Sequence, residues 1–142
     1  MARQDWLLMA LATRGGAPMD PVQIQKAMFL LGRQMTDDVG PGFYSFRPYN
    51  YGPFDSDIYT DLQRMALRGL VSISQSSRGT RSFSVTPEGM RQGEELLRNL
   101  NPAVRSYLQR VVQWVCSLSF ADLVRAIYDR YPEFRQNSVF AG

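Results

Sequence analysis

Hydrophobic residues near the N-terminus recur at the spacing of two helices. The first helix is predicted over about Gln4–Thr13, where a pair of glycines then ends it. The second is predicted over about Pro21–Gln34, because Asp20 stands where an N-cap belongs and Gln23 where its capping-box partner belongs. Their apolar faces consist of Trp6, Leu7, Met9, Ala10 and Leu11 in the first helix and of Ile24, Ala27, Met28 and Leu31 in the second.

The next part of the chain begins with a predicted loop and ends with a predicted helix. Residues 37–42 combine aspartates, glycines and a proline, which favours a loop, and Phe43–Phe46 is predicted to form a short strand. A third helix is predicted from about Asp55 to Gly69, where a glycine lets the chain leave the helix. Its inward-facing side chains are predicted to be Ile58, Leu62 and Met65 or Ala66.

Two extended segments and a helix start follow the third helix. Leu70–Ser74 and Arg81–Val85 are predicted to pair as antiparallel strands joined by a polar loop. Thr86 is placed to cap a fourth helix, with Pro87 at its first position. The order of helix, strand, loop, strand and helix over Tyr49–Gly89 predicts a winged helix, a fold that binds DNA or partner proteins more often than it catalyses.

A fifth helix over 102–118 and a sixth, from Ser119 to about Tyr131, complete the predicted fold. The fifth has a wide apolar stripe, which fits either a central helix contacted from several sides or the seam of a homodimer. The predicted class is mainly α, of α+β type: a winged helix-turn-helix with a two-stranded wing and a C-terminal helical extension. We expect one domain over 1–142, with its core at about 4–99, its extension at about 101–135 and a tail at 136–142.

Composition sets the broad class of the protein. The chain has 142 residues and a net charge of +3, so one domain is expected and nucleic-acid binding is permitted without being required. The single cysteine, Cys116, excludes an internal disulfide and a cysteine-only zinc site, and it fits a cytoplasmic protein. No apolar run approaches the roughly 20 residues that cross a bilayer, so no membrane association is expected.

The sequence offers little for catalysis. The chain has no histidine, which removes the commonest general base and metal ligand. Cys116 therefore has no histidine to activate it, and the glycines at 15–16 and 40–42 lack the spacing and the lysine of a phosphate-binding loop. We expect no catalytic residue, no metal site and no cofactor.

Six aromatic residues lie within twelve positions, just before the third helix. They form either a packed connection between the second and third helices or a rigid platform for a partner, since tyrosine is favoured at binding hot spots. Tyr49 and Tyr51 share strand parity beside polar Asn50 and are expected to be exposed. Together with the start of the third helix they predict a protein-binding surface of Tyr49, Tyr51, Phe54, Asp57 and Asp61.

The alternative prediction is a DNA-binding surface on the wing and the third helix. Readers of the major groove usually carry basic and amide side chains at the start of the recognition helix, whereas this helix starts with aspartates that repel phosphate. The arginines come later in the helix and on the wing, where phosphate contacts position a protein without specifying sequence. The candidate residues are Arg64, Arg68, Arg78, Arg81 and Arg91.

Several segments resemble known families. The spacing of Leu62 and Met65, followed by RGLV and RSFSVTPEG, resembles winged-helix regulators of the MarR and PadR kinds. A narrower likeness uses IQKAMFLLGRQM, YNYGPFDSDIYTDL, GLV with VTPEG, and IYDRYPEF, which look like YwgA-like proteins and the Panacea, or SocA-like, antitoxin domain. Lys26, the only lysine beside fifteen arginines, matches the Q-K position of that likeness. The simpler expectation is nevertheless that the side chain of Lys26 is exposed to solvent.

The resemblance covers roughly residues 5–135 and implies a helical domain around a winged-helix-like core. Panacea domains act as antitoxins by binding diverse toxins, and one type delivers its toxin to a protease. The resemblance therefore implies a partner protein, possibly a toxin, and the wing arginines keep double-stranded DNA as the other candidate partner. We expect a non-enzymatic regulatory module that binds a protein through the Tyr49–Asp61 segment.

Overall fold

The computed structural model describes residues 1–141, and over these residues the fold is α+β and mainly helical. The helices are α1 (Arg3–Thr13), α2 (Pro21–Gln34), α3 (Thr36–Val39), α4 (Asp57–Leu67), α5 (Pro87–Arg98), α6 (Pro102–Ser117) and α7 (Phe120–Arg130). A 3₁₀-helix follows at Pro132–Arg135. The strands are β1 (Arg47–Tyr49), β2 (Gly52–Phe54), β3 (Val71–Gln75) and β4 (Arg81–Val85).

Helix α1 occupies the centre of the fold. Each side chain from Trp6 to Ala12 is buried, because α2, α4, α5, α6 and β4 all pack around this helix. A helix that is apolar on every side is stable only where neighbours cover it completely. Helix α5 approaches closely at Gly93, where an added Cβ would stand 2.7 Å from the Cβ of Ala12. The central helix is therefore α1 rather than the fifth predicted helix.

The apolar stripe of helix α6 is buried against other helices of the same chain. Val104, Leu108, Val111 and Val115 are buried against α1 and α2. Its outer face is polar except for Trp114, which is 37% exposed. A homodimer through this helix would therefore rest on Trp114 and polar neighbours, with the stripe itself unavailable.

Two antiparallel hairpins flank α4 in the sequence. In the first, Arg47 pairs with Phe54 and Tyr49 pairs with Gly52. In the second, β3 and β4 pair from Val71↔Val85 to Gln75↔Arg81. The linker between α1 and α2 adds a bridge to the second hairpin, because Met19 and Phe83 exchange two backbone hydrogen bonds of 2.9 Å.

Most of the predicted elements are confirmed, with differences that have physical reasons. Phe43–Phe46 is not a strand, since the strand that pairs with β2 lies just after it, at Arg47–Tyr49. The predicted loop over 37–42 contains most of the single-turn helix α3. The capping predictions hold: Asp20 and Thr86 accept hydrogen bonds from the backbone N–H groups of Gln23 and Gly89.

The C-terminal segment docks on the body. Phe134 is buried and meets Phe29 edge to face, with 4.8 Å between ring centroids. Further on, Val139 N–H donates to the carbonyl oxygen of Asn50 at 2.9 Å. The tail thus reaches the β1–β2 turn, which brings Ser138 and Val139 beside the aromatic segment.

Candidate binding surface around a buried lysine

Gln25 on α2 fixes the start of α4. Its amide nitrogen donates to the carbonyl oxygen of Asp55 at 2.9 Å, and its amide oxygen accepts from the N–H of Asp55 at 3.0 Å. The Asp55 carboxylate in turn accepts from the N–H groups of Ser45 (2.8 Å) and Asp57 (2.9 Å). Because the Gln25 side chain is buried, this pair of bonds holds the chain firmly where it enters α4.

Lys26, the next residue, is also buried and holds the β1–β2 turn. The residue is only 2% exposed, and its ammonium donates a hydrogen bond to the carbonyl oxygen of Tyr51. Burial lowers the pKa of Lys26 to about 8, against the opposing attraction of Asp20. The expectation of a solvated lysine is wrong, because the β1–β2 turn covers this position of α2.

The ammonium of Lys26 has more donors than the protein satisfies. A lysine carries three N–H donors, and among residues 1–141 the carbonyl of Tyr51 is its one hydrogen-bond acceptor. Gly52 lies directly beside the ammonium: its φ is +109°, and an added Cβ would stand 3.4 Å from Nζ. A residue with a side chain would be strained at this φ and would crowd the lysine.

The tail holds the same turn from the other side. Asn50 accepts from Val139 N–H at 2.9 Å and from the Ser138 hydroxyl at 3.3 Å. Tyr128 on α7 donates to that hydroxyl at 2.6 Å. The turn between β1 and β2 is therefore fixed by α2 on one side and by α7 and the tail on the other.

Four rings surround this turn, and we call Tyr49, Tyr51, Phe54 and Tyr59 the aromatic surface. Tyr49 stacks on Phe54 with 4.6 Å between ring centroids. Tyr51 meets Phe120 of α7 edge to face at 5.0 Å. As the sequence predicts, Tyr49 and Tyr51 are exposed, at 41% and 40%, while Phe54 and Tyr59 are half-buried.

Two arginines lie on the aromatic surface. The guanidinium of Arg47 lies 5.5 Å from the ring centroid of Tyr49, and that of Arg81 lies 5.0 Å from the ring centroid of Tyr59. Arg81 belongs to β4, so the predicted wing contributes to the aromatic surface. From the sequence, the Tyr49–Asp61 segment and the wing belong to two competing hypotheses, whereas in the fold Arg81 of the wing contacts Tyr59 of that segment.

A cavity of about 230 Å³ opens between α2 and the β1–β2 hairpin. Its wall includes all four rings of the aromatic surface, the two prolines Pro21 and Pro53, and the buried lysine. We call it the lysine cavity. A concave, mostly apolar site with one buried charged group has the character of a binding site, since the apolar wall gives affinity and the polar group gives orientation.

The predicted acidic part of the surface is engaged within the protein. Asp61 is 5% exposed; it accepts from Arg3 Nε at 2.9 Å and from the Tyr44 hydroxyl at 2.6 Å. Burial and the bond to Asp61 raise the pKa of Tyr44. The placement of Asp61 on a partner-facing surface is thus corrected, because its position on α4 faces α1. Asp57 is exposed, and Arg3 lies 3.3 Å from its carboxylate.

The candidate DNA-binding arginines are dispersed. Arg64, Arg68 and Arg78 are exposed, and none of the ion pairs within residues 1–141 involves them. Arg91 is paired with Glu88 and Glu95 on its own helix. The loop between β3 and β4, which we call the hairpin tip (residues 75–80), is held by short-range bonds such as Gln75 Nε2 to the Gly79 carbonyl at 3.2 Å.

Two other features are absent from the described part of the chain. Residues 1–141 contain no group of three or more aspartate, glutamate or cysteine side chains placed to hold a metal ion. Over the same residues, no helix has the length and apolarity to cross a bilayer.

Of the two most informative residues of the site, the sequence missed Gln25 and singled out Lys26 without placing it in the site. Both lie in the middle of α2, in a run from Ile24 to Leu31 that is buried without interruption. One signal was available: Lys26 is the only lysine in a chain that otherwise uses arginine. Comparison of the chain with family models, with curated proteins and with solved structures found no match.

Proposed function

We propose that this chain is a non-enzymatic regulatory module of winged-helix type that binds a partner protein through the aromatic surface. The observation that carries the proposal is the lysine cavity, bordered by the exposed rings of Tyr49 and Tyr51. Tyrosine and arginine are enriched in the buried centres of protein interfaces. Exposed rings around an apolar depression, with Arg47 and Arg81 beside them, fit that description.

The support beneath the aromatic surface favours binding without rearrangement. Gln25, Lys26 and the tail all hold the β1–β2 turn through hydrogen bonds to its backbone. A loop that is already ordered loses little conformational entropy when a partner docks on it. The tyrosines are therefore presented on a rigid base, which raises the affinity available from a small contact area.

The order of the elements supports the winged-helix part of the proposal. Helix α1, the Met19 bridge, α2, α4 and the β3–β4 hairpin follow one another as the helices and strands of a winged helix do. A helix-turn-helix joins its two helices by a turn of three or four residues. Here α3 and the β1–β2 hairpin fill that place. The insertion puts the aromatic surface where a DNA reader has its tight turn, which favours a protein partner.

Site-specific photocrosslinking tests the proposal. We would place a benzoylphenylalanine at Tyr51 and, as a matched control, at the exposed Gln109 on the outer face of α6. A protein that crosslinks only at Tyr51 would then be purified and titrated against the unmodified chain. Replacement of Tyr49 and Tyr51 by alanine is expected to weaken its binding at least tenfold, whereas Gln109→Ala should not. Equal crosslinking at both positions, or unchanged affinity of the double variant, would contradict the proposal.

The resemblance to Panacea proteins makes a toxin one candidate for that partner. In that case the chain would serve as an antitoxin or an adaptor. If the protein identified by crosslinking slows growth when it is expressed alone, co-expression with this chain distinguishes the two roles. An antitoxin restores growth by binding alone, whereas an adaptor restores it only in cells that contain the protease.

DNA binding is the second candidate function, and the exposed guanidinium groups of Arg64, Arg68 and Arg78, which make no ion pair within residues 1–141, favour it. With Arg81, these residues could contact phosphates of a duplex. Fluorescence anisotropy with duplexes from the gene's upstream region, at two salt concentrations and beside an unrelated duplex, tests this candidate. Selective binding would establish a repressor, whereas unselective binding lost at modest salt would reflect counterion release alone.

A further inference from the structure

The strongest unexplained feature of the fold is a positive charge buried at the wall of a cavity. Lys26 is 2% exposed, lines the lysine cavity, and gives only one of its three N–H donors to an acceptor within residues 1–141. Burying an ammonium with incomplete partners costs free energy. The Tyr51 carbonyl could be held by a neutral donor such as glutamine, so turn stabilisation alone does not require a lysine.

We propose that the lysine cavity receives the carboxylate of an aspartate or glutamate from the partner protein, with the ammonium of Lys26 as its counter-ion. The proposal rests on the proposed function, since it specifies the chemistry of the segment that docks on the aromatic surface. The carboxylate would accept hydrogen bonds from the unused N–H groups of Lys26. Apolar residues beside the acidic residue in the partner segment would cover the rings of Tyr49 and Phe54.

The charges around the cavity favour an acidic partner. Arg47 and Arg81 add two guanidinium groups to the aromatic surface. The nearest aspartates of α4 do not oppose them fully, because Asp57 and Asp61 are both paired with Arg3. Complementary charge raises the association rate and excludes partners of the wrong sign. Lys26, Arg47 and Arg81 therefore bring positive charge to the aromatic surface, whereas Asp61 of the predicted acidic surface is paired inside the protein.

Asp20 is the carboxylate whose charge acts on Lys26, and it already has a hydrogen-bond partner of its own. Its side chain accepts from the N–H of Gln23 at 2.8 Å as the N-cap of α2. It raises the pKa of Lys26 but is not hydrogen-bonded to it. A second carboxylate from a partner would thus meet an ammonium that no carboxylate of residues 1–141 contacts directly.

The geometry favours a protein segment over a single-stranded nucleic acid. Nucleic-acid platforms offer open ring faces on which bases stack. Here Tyr49 and Phe54 stack on each other at 4.6 Å, and guanidinium groups lie over Tyr49 and Tyr59. The ring faces are largely occupied, while the cavity of about 230 Å³ between the rings and α2 is large enough to receive a side chain of a partner.

The test uses two pools of heptapeptides and the full-length chain labelled with ¹⁵N. Both pools have randomised leucine, phenylalanine and tyrosine flanks; one has a central glutamate and the other a central glutamine. The glutamate pool is expected to shift the amide signals of Tyr51 and Gly52 and to bind at least tenfold more tightly. Because the pools differ only in charge at one position, the ratio reports recognition of the carboxylate.

Variants assign that recognition to Lys26. Lys26→Met should remove the preference for glutamate, whereas Arg68→Met, which removes an exposed cation elsewhere, should preserve it. If Lys26→Met does not fold, Lys26→Gln, which keeps a donor for the Tyr51 carbonyl, takes its place. Persistence of the glutamate preference in a folded Lys26 variant would overturn the proposal.

The other outcomes separate this proposal from the proposed function. Equal binding of the two pools at Tyr51 and Gly52 would overturn the carboxylate proposal and leave protein docking on the aromatic surface intact. Absence of binding by the glutamate pool would overturn the carboxylate proposal, and the crosslinking experiment would then decide the proposed function on its own. Displacement of the bound peptides by a twenty-nucleotide thymidine strand, with tighter binding of that strand, would identify the surface as a nucleic-acid platform.

Discussion

The two candidate binding regions of this protein differ in how their polar groups are held. Around the aromatic surface, Gln25, Lys26 and Asp61 are buried, and each reaches a partner far away in the sequence. At the hairpin tip, Gln75 and Arg78 are exposed, and their hydrogen bonds stay within the loop. The first region is built by the whole fold, whereas the second is a local turn.

This difference teaches where specificity can come from. A buried polar group costs free energy unless it is satisfied, so its position is determined by several elements at once. A surface of that kind has one shape and can discriminate between partners. An exposed arginine on a turn can contact phosphate but fixes little geometry. Four measurements test this contrast between the two regions.

Asp61→Ala is expected to produce the largest loss of stability. The variant breaks the half-buried ion pair with Arg3 and leaves the buried hydroxyl of Tyr44 without its acceptor, and the two losses together should cost about 3 kcal/mol. Asp57→Ala, its control on the same helix, removes an exposed carboxylate and should cost less than about 1 kcal/mol. Urea denaturation of both variants measures the difference. Similar losses would show that Asp61 is not the buried anchor described above.

Lys26 should make the stability of the fold depend on alkaline pH. Its pKa is lowered from 10.5 to about 8 in the folded protein, so between these values the unfolded chain binds more protons. The free energy of unfolding therefore rises with pH over this window, by up to about 3 kcal/mol, and shows no dependence on Lys26 below it.

The measurement compares wild type with Lys26→Met from pH 7 to pH 10.5 by urea denaturation. All other titratable groups are common to the two proteins, so the difference in slope isolates the lysine. Arg78→Met at the hairpin tip should leave the slope unchanged. Parallel curves for wild type and Lys26→Met would mean that the ammonium is not desolvated in the folded chain.

Two glutamines provide a matched pair across the two regions. Gln25→Ala leaves the N–H and carbonyl of Asp55 without their partner and should cost about 2 kcal/mol. Gln75→Ala removes a single exposed bond to the Gly79 carbonyl and should change stability by less than about 0.5 kcal/mol. Thermal unfolding of the two variants gives the comparison directly. A cost at Gln75 equal to that at Gln25 would erase the distinction between the regions.

Alanine substitutions of two arginines on the second hairpin should show the smallest difference in stability, but a measurable one. Arg81→Ala loses the contact of its guanidinium with the ring of Tyr59 and is expected to cost about 1 kcal/mol. Arg78→Ala, at the exposed tip, should be close to neutral. Chemical denaturation checks both. Equal and negligible effects would place Arg81 in solvent and detach the second hairpin from the aromatic surface.

Local patterns were sufficient for most of the elements. Asp20 and Thr86 were predicted as caps, and Arg81–Val85 as a strand, from neighbouring residues alone. The strand at Phe43–Phe46 was predicted wrongly, because aromatic residues favour strands whether or not a partner strand is present. The pairing of Arg47–Tyr49 with Gly52–Phe54 depends on the turn at Asn50 and Tyr51, which α2 and the tail hold in place.

Periodicity and residues a few positions apart were enough to predict the six longer helices, the caps, the β3–β4 hairpin and the exposure of Tyr49 and Tyr51. Which charges are free depends instead on the tertiary structure. Lys26 became buried because a turn twenty-five residues away covers it, and Asp61 became an internal anchor because Arg3 reaches it from α1. Burial and pairing of charges depend on contacts between distant segments, and a linear pattern carries no record of those contacts.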